Sequence, residues 1–150
     1  PGGSSAGSGA AVAANLPICA LGTDTSGSVR FPSTANALVG MVATQGLVSR
    51  AGIIPLSFSR DRGGPMCRTV QDTAAVLEVL AGADPRDHVT AVAHGRKPVA
   101  YRNHANKKSL TGKRLGVVRE FMIEATVADY GGSALDSCLD VWRSTGYSVH

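Results

Sequence analysis

Ser4 and Ser28 carry the chemistry that this sequence can offer. They lie 24 positions apart, each in or beside a turn rich in glycine, serine and other small residues: Gly2 to Gly9, and Gly22 to Gly27. A serine hydroxyl attacks poorly until a base takes its proton and a set of donors receives the oxyanion that the attack creates. A tight turn of small residues can point several successive N–H groups at one spot, and a helix that begins there adds its dipole. Gly22-Thr23-Asp24-Thr25-Ser26-Gly27-Ser28 has that composition, and acyl transfer is the reaction such parts suit. The plain alternatives are a turn in which Ser28 only caps a helix and a flexible Gly/Ser linker around Ser4.

The two turns are linked by more than composition. Gly2-Gly3-Ser4-Ser5-Ala6-Gly7-Ser8 and Gly22-Thr23-Asp24-Thr25-Ser26-Gly27-Ser28-Val29-Arg30-Phe31-Pro32 resemble the GGSSGGS and GTDxGGSxRxP turns of the amidase signature family, serine hydrolases of amides. The likeness continues through Leu47-Val48-Ser49-Arg50-Ala51-Gly52-Ile53-Ile54-Pro55 and Gly64-Pro65-Met66-Cys67-Arg68-Thr69-Val70-Gln71-Asp72, then fades after about Asp84.

The resemblance implies Ser28 as nucleophile and Ser4 as proton relay, seated on a cis Gly3–Ser4 bond. It implies the N–H groups of Thr25, Ser26, Gly27 and Ser28 as the oxyanion cradle. It also implies a lysine base well upstream of the first turn. The chain begins after that point, and Lys97, Lys107, Lys108 and Lys113 do not match the position. The expectation is therefore a central fragment that lacks its lysine and hydrolyses little by itself. Asp24 and Arg30 flank the nucleophile, where a carboxylate and a guanidinium can pair and stiffen the turn; the plain alternative is two independent surface charges. Arg50, Asp61 and Arg68 read as scaffold. No metal or organic cofactor is called for.

Some positions depart from the family pattern. Ser26 and Ala6 stand where glycine is common. Gly40-Met41-Val42-Ala43-Thr44 stands where GLKPT is frequent. That lysine is not the catalytic one, so its loss bears on substrate range or partner contacts. Gly3-Ser4-Ser5-Ala6-Gly7 also fits the G-x-S-x-G nucleophile elbow, with Ser5 in the attacking position, but that motif needs a preceding strand.

Composition sets the frame. Length of 150 residues, 43% hydrophobic and 17% charged residues fit one ordinary globular domain with a core. The net charge of +4 owes much to one stretch. No acid lies between Asp87 and Glu120, whereas Arg96, Lys97, Arg102, Lys107, Lys108, Lys113, Arg114 and Arg119 do. With little aromatic interleaving it reads as a solvated loop rather than a nucleic-acid surface. Cys19, Cys67 and Cys138 form no metal pattern, and their odd number reads as reduced, buried thiols in a cytoplasmic protein. No run is long enough for a membrane helix.

The elements that must position the two serines alternate. Helix is expected at Ser8–Leu16, from Ser28, at Arg68–Leu80 and at Ser133–Thr145. Strands are expected at Pro17–Leu21, Val39–Ala43, Arg114–Arg119 and from Tyr147. That order predicts an α/β fold with a mixed or mostly parallel sheet flanked by helices. Residues 1–83 form the motif-bearing segment, 84–112 a linker and 113–150 an α/β continuation.

Three functions remain open at this level. The first is an amidase that cleaves a carboxamide C–N bond of a small-molecule substrate through an acyl-serine. The second is the A-type subunit of a glutamine-dependent amidotransferase, with a partner subunit. The third is a non-catalytic interaction module. A homo-oligomer, or pairing with missing chain, would cover the sheet edges of a fragment.

Overall fold

The computed structural model describes residues 2–97 and 99–106, and the backbone of 114–115 and 148–149. The expected helix at Ser133–Thr145, with Cys138, and residues 116–119 of the expected strand lie outside the described residues. The chain divides into two units, residues 1–106 and 107–150. In the first, the order is α1 (Ala6–Ala13), β1 (Cys19–Asp24), α2 (Arg30–Ala35), β2 (Val39–Gly40), β3 (Arg62–Cys67), α3 (Val70–Leu80), a 3-10 helix (His88–Ala93) and α4 (Arg102–Ala105). In the second, β4 (Arg114–Leu115) pairs with β5 (Ser148–Val149) in parallel.

The expectation of a mixed or mostly parallel sheet needs correction for the first unit. The described sheet of the first unit has the order β1-β3-β2, and both pairings are antiparallel. The error has one cause, which is that β3 is hidden in the sequence. Arg62-Gly63-Gly64-Pro65-Met66-Cys67 contains glycines and a proline, which disfavour strands. Burial holds it in place, since residues 63–67 are all buried. Gly64 is required there because a Cβ at that position would overlap the Met41 carbonyl oxygen. The α/β class itself stands, with helices packed against a small sheet.

α1 begins at Ala6, two residues before the expected Ser8 cap. The Ser8 hydroxyl instead donates to the Leu21 carbonyl at 2.8 Å, fastening α1 to β1. Val12 and Gly9 face inward from α1. α3 matches its expected amphipathic span closely. Thr69 caps it, accepting from the Asp72 N–H at 3.0 Å, and Asp72 accepts from the Thr69 hydroxyl at 2.7 Å. Thr73, Ala74 and Leu77 are its buried face. Ala43, Val48 and Leu77 form a core cluster, with Leu47, Leu80 and Tyr101 packed against it.

Residues 84–106 are bound to the first unit rather than free of it. Arg50 pairs with Asp87, Ser49 donates to Asp84, and Arg102 pairs with Glu78. Thr90, fully buried, donates its hydroxyl to the Asp84 and Asp87 carbonyls and accepts the Asp84 N–H.

The reading of reduced cysteines is also corrected. Cys19 and Cys67 face each other in the β1–β3 register, their Cα atoms 4.4 Å apart, and are joined as a disulfide. A separation of 48 residues along the chain conceals the pair in the sequence. The thiol argument for a cytoplasmic setting falls with it. Among the described residues no helix is long and apolar enough to cross a membrane.

Candidate active site

β1 delivers the chain to the second turn, and α2 carries it away. Between them Asp24 organises the backbone. Its side chain is almost fully buried. Oδ1 accepts the Gly27 N–H at 2.8 Å, and Oδ2 accepts the Val29 N–H at 3.1 Å. The guanidinium of Arg30 closes the set, Nε to Oδ2 at 3.1 Å and Nη2 to Oδ1 at 3.0 Å. Asp24 and Arg30 thus pair, bidentate, across the turn. Burial by itself would raise the Asp24 pKa. Arg30 and the N–H groups of Gly27, Val29 and Arg30 outweigh it and hold the carboxyl well below its usual range.

Gly27 has φ of +123°, and a Cβ there would strike the Phe31 ring. Only glycine fits this bend. Among the described residues the N–H groups of Thr25, Ser26 and Ser28 carry no hydrogen bond, whereas that of Gly27 is engaged by Asp24. Three donors without a hydrogen bond among the described residues thus lie within four residues of chain.

The first turn lies against the second. The Ser5 N–H donates to the Ser28 carbonyl at 3.1 Å. The Ser5 hydroxyl donates to the Thr23 carbonyl at 3.2 Å and accepts the Thr23 N–H at 3.1 Å. Ser5 is therefore a structural bolt between the turns. Its hydroxyl is occupied, and no strand among the described residues precedes it, so the nucleophile-elbow reading has no support. The Gly3–Ser4 peptide bond is cis. Ser4 is exposed and Ser28 half-buried, and neither hydroxyl has a hydrogen bond among the described residues.

One contact is invisible to sequence reading. The Thr25 hydroxyl donates to Asp61 Oδ1 at 2.5 Å, while Asp61 Oδ2 accepts the N–H groups of Leu56 and Ser57, each at 2.7 Å. The Thr25 hydroxyl, then the Ser57 and Leu56 amides, lower the Asp61 pKa against the opposing effect of burial. In the sequence Asp61 reads as scaffold, and 36 residues separate it from Thr25. Arg50, which also reads as scaffold, grips Asp87 with two nitrogens at 3.0 Å and donates to the Phe58 carbonyl. Arg68 donates to the Val12 carbonyl at 3.0 Å, below α1. Among the described residues no cluster of His, Cys, Asp and Glu could hold a metal ion.

Comparison with known proteins agrees with the motifs. The amidase family profile matches residues 1–147. A probable amidase of Arabidopsis thaliana is 44% identical over 119 residues, covering 79% of this chain and 23% of the relative. The A-type subunit of the glutamyl-tRNA(Gln) amidotransferase of a Roseiflexus species is 43% identical over 149 residues, 99% of this chain and 30% of the relative. The native peptide amidase of Stenotrophomonas maltophilia matches with a TM-score of 0.75 at 39% identity, over 98% of this chain and 30% of that one. The chain spans less than a third of the length of these relatives. With motifs, profile and structural likeness in agreement, the chain belongs to the amidase family.

Proposed function

We propose that the protein containing this chain hydrolyses the C–N bond of a carboxamide by acyl transfer to Ser28. Ser28 Oγ attacks the carbonyl carbon. Its proton passes through Ser4 to a lysine supplied by another part of the protein. The oxyanion settles among the Thr25, Ser26 and Ser28 N–H groups, with the Gly27 N–H shared with Asp24. As the C–N bond breaks, the proton is delivered to the leaving nitrogen. Water then attacks the acyl ester, releasing the acid and restoring the Ser28 hydroxyl.

The observation that carries this reading is the hydrogen bond from the Ser5 N–H to the Ser28 carbonyl. It ties the turn bearing Ser4 to the turn bearing Ser28, beside three unengaged N–H donors. Asp24 and Arg30 serve by fixing the later half of that turn, through the Gly27, Val29 and Arg30 N–H groups. The test is Ser28→Ala in the complete protein. Amide hydrolysis and labelling by a fluorophosphonate probe should both vanish. Hydrolysis that survives the substitution rejects the nucleophile, and a wild-type protein that takes no label favours a non-catalytic module.

A second reading has a specific observation behind it. Several relatives are A-type subunits of glutamyl-tRNA(Gln) amidotransferases, one of them 48% identical over 81% of this chain. In that reading the amide is glutamine and the released ammonia goes to a partner subunit. Co-purification with a partner, and glutamine hydrolysis that rises on binding it, would favour this reading over a free-standing amidase.

A further inference from the structure

We infer that Asp61 is a positioning residue for the oxyanion cradle, acting through the side chain of Thr25. This rests on the acyl-transfer reading above. Three donors converge on one carboxylate: the Thr25 hydroxyl on Oδ1, and the Leu56 and Ser57 N–H groups on Oδ2. Asp61 is buried, with 5% of its surface exposed. Its own N–H donates to the Ser57 carbonyl at 2.9 Å, so the carboxylate sits on a closed loop. That loop is anchored separately. Arg50 donates to the Phe58 carbonyl and is itself fixed by two bonds to Asp87.

The arrangement matters because of what Thr25 lacks. Asp24 secures the Gly27, Val29 and Arg30 amides, the later half of the turn. Nothing from Asp24 reaches Thr25 or Ser26. Their N–H groups are open, and an open donor must be aimed by something other than its own hydrogen bond. The hydroxyl bond to Asp61 is the side-chain restraint on that first half. Displacing donors by a fraction of an ångström is enough to cost rate without costing fold.

Asparagine is a poor probe of Asp61, because its amide oxygen could keep the Leu56 and Ser57 N–H groups while its NH2 group donates to the Thr25 hydroxyl; Asp61→Ala removes both acceptors. Thr25→Val removes the hydroxyl at nearly constant volume, while Thr25→Ser keeps it.

The experiment uses the complete protein with Asp61→Ala, Thr25→Val, their combination and Thr25→Ser. A fluorophosphonate probe counts the active sites, and kcat is expressed per labelled Ser28. Asp61→Ala and Thr25→Val should each lower that kcat roughly tenfold to a hundredfold with KM nearly constant. The double variant should be no worse than the poorer single one, because both break one contact. Thr25→Ser should recover most of what Thr25→Val loses. A merely structural role would reduce the number of labelled sites and leave kcat per site intact; that result, with hydrolysis still dependent on Ser28, overturns this inference alone. Hydrolysis independent of Ser28 overturns the parent reading and this one together.

Discussion

The turn that bears Ser28 and the loop of residues 50–61 are both built around buried carboxylates, yet they are assembled in different ways. Asp24 collects its partners from the next six residues: Gly27, Val29 and Arg30. Its hub forms as soon as the turn forms. Asp61 joins the nearby Leu56 and Ser57 amides to Thr25, 36 residues away, and Asp87 joins the Val89 amide to Arg50, 37 residues away. Their hubs are complete only once the tertiary fold exists. The first region is a self-contained turn delivered by a strand. The second is a loop stitched down at its ends, and it exposes Ile54, Leu56 and Phe58 between the stitches.

Removing the local hub should have the largest effect. Asp24→Ala strands the Gly27 and Val29 N–H groups in one step, while the exposed Arg30 guanidinium returns to water. The expected loss is about 4 kcal/mol of unfolding free energy, from orphaning two buried donors. Denaturant titration would register it as a lower midpoint at constant slope. A midpoint near wild type would mean that the turn is held by its backbone alone.

Cutting the distant hub should cost less. Arg50→Ala leaves Asp87 without its cation and frees the Phe58 carbonyl. A loss of about 3 kcal/mol is expected. The sharper contrast lies in location: limited proteolysis should accelerate within residues 54–59, whereas Asp24→Ala should unfold the unit as a whole. Equal cleavage patterns in the two variants would erase the distinction drawn between the regions.

Acid is the mildest perturbation, because a protonated carboxyl still accepts hydrogen bonds through its carbonyl oxygen. Burial opposes ionisation of Asp24, but Arg30 and the turn amides prevail and lower its pKa; Asp87 is lowered chiefly by Arg50. Each group contributes stability that is complete above the unfolded value of about 4. That contribution is lost as pH falls through the depressed folded value. The unfolding midpoint should stay level from pH 7 to about 5 and decline below about 4. A decline that starts near neutrality would assign acid sensitivity to other groups.

The same division explains what the sequence reveals. The Asp24–Arg30 pair is legible because the two lie six residues apart within one motif, and Ser4 and Ser28 stand out as candidates because each lies in a contiguous motif. α3 is legible because Val70–Leu80 repeats at helical spacing and Thr69-x-x-Asp72 caps it. β3 is not, since its glycines and proline argue against a strand and only burial by β1 and β2 reverses that preference. The 3-10 helix at His88–Ala93 and α4 fall within the expected linker for a like reason. Their anchors, Asp87 to Arg50 and Arg102 to Glu78, span long stretches of chain. Thr25 to Asp61 belongs to this class: the two lie in separate stretches of sequence, and nothing in either stretch names the other.

The link between Cys19 and Cys67 has a topological meaning for both regions. It closes a covalent ring over the intervening chain, and that ring contains the turn bearing Ser28, α2, β2 and the whole 50–61 loop. The two segments that meet at Thr25 and Asp61 are thus arcs of one circle. However far either arc loosens, the circumference limits how widely they can part.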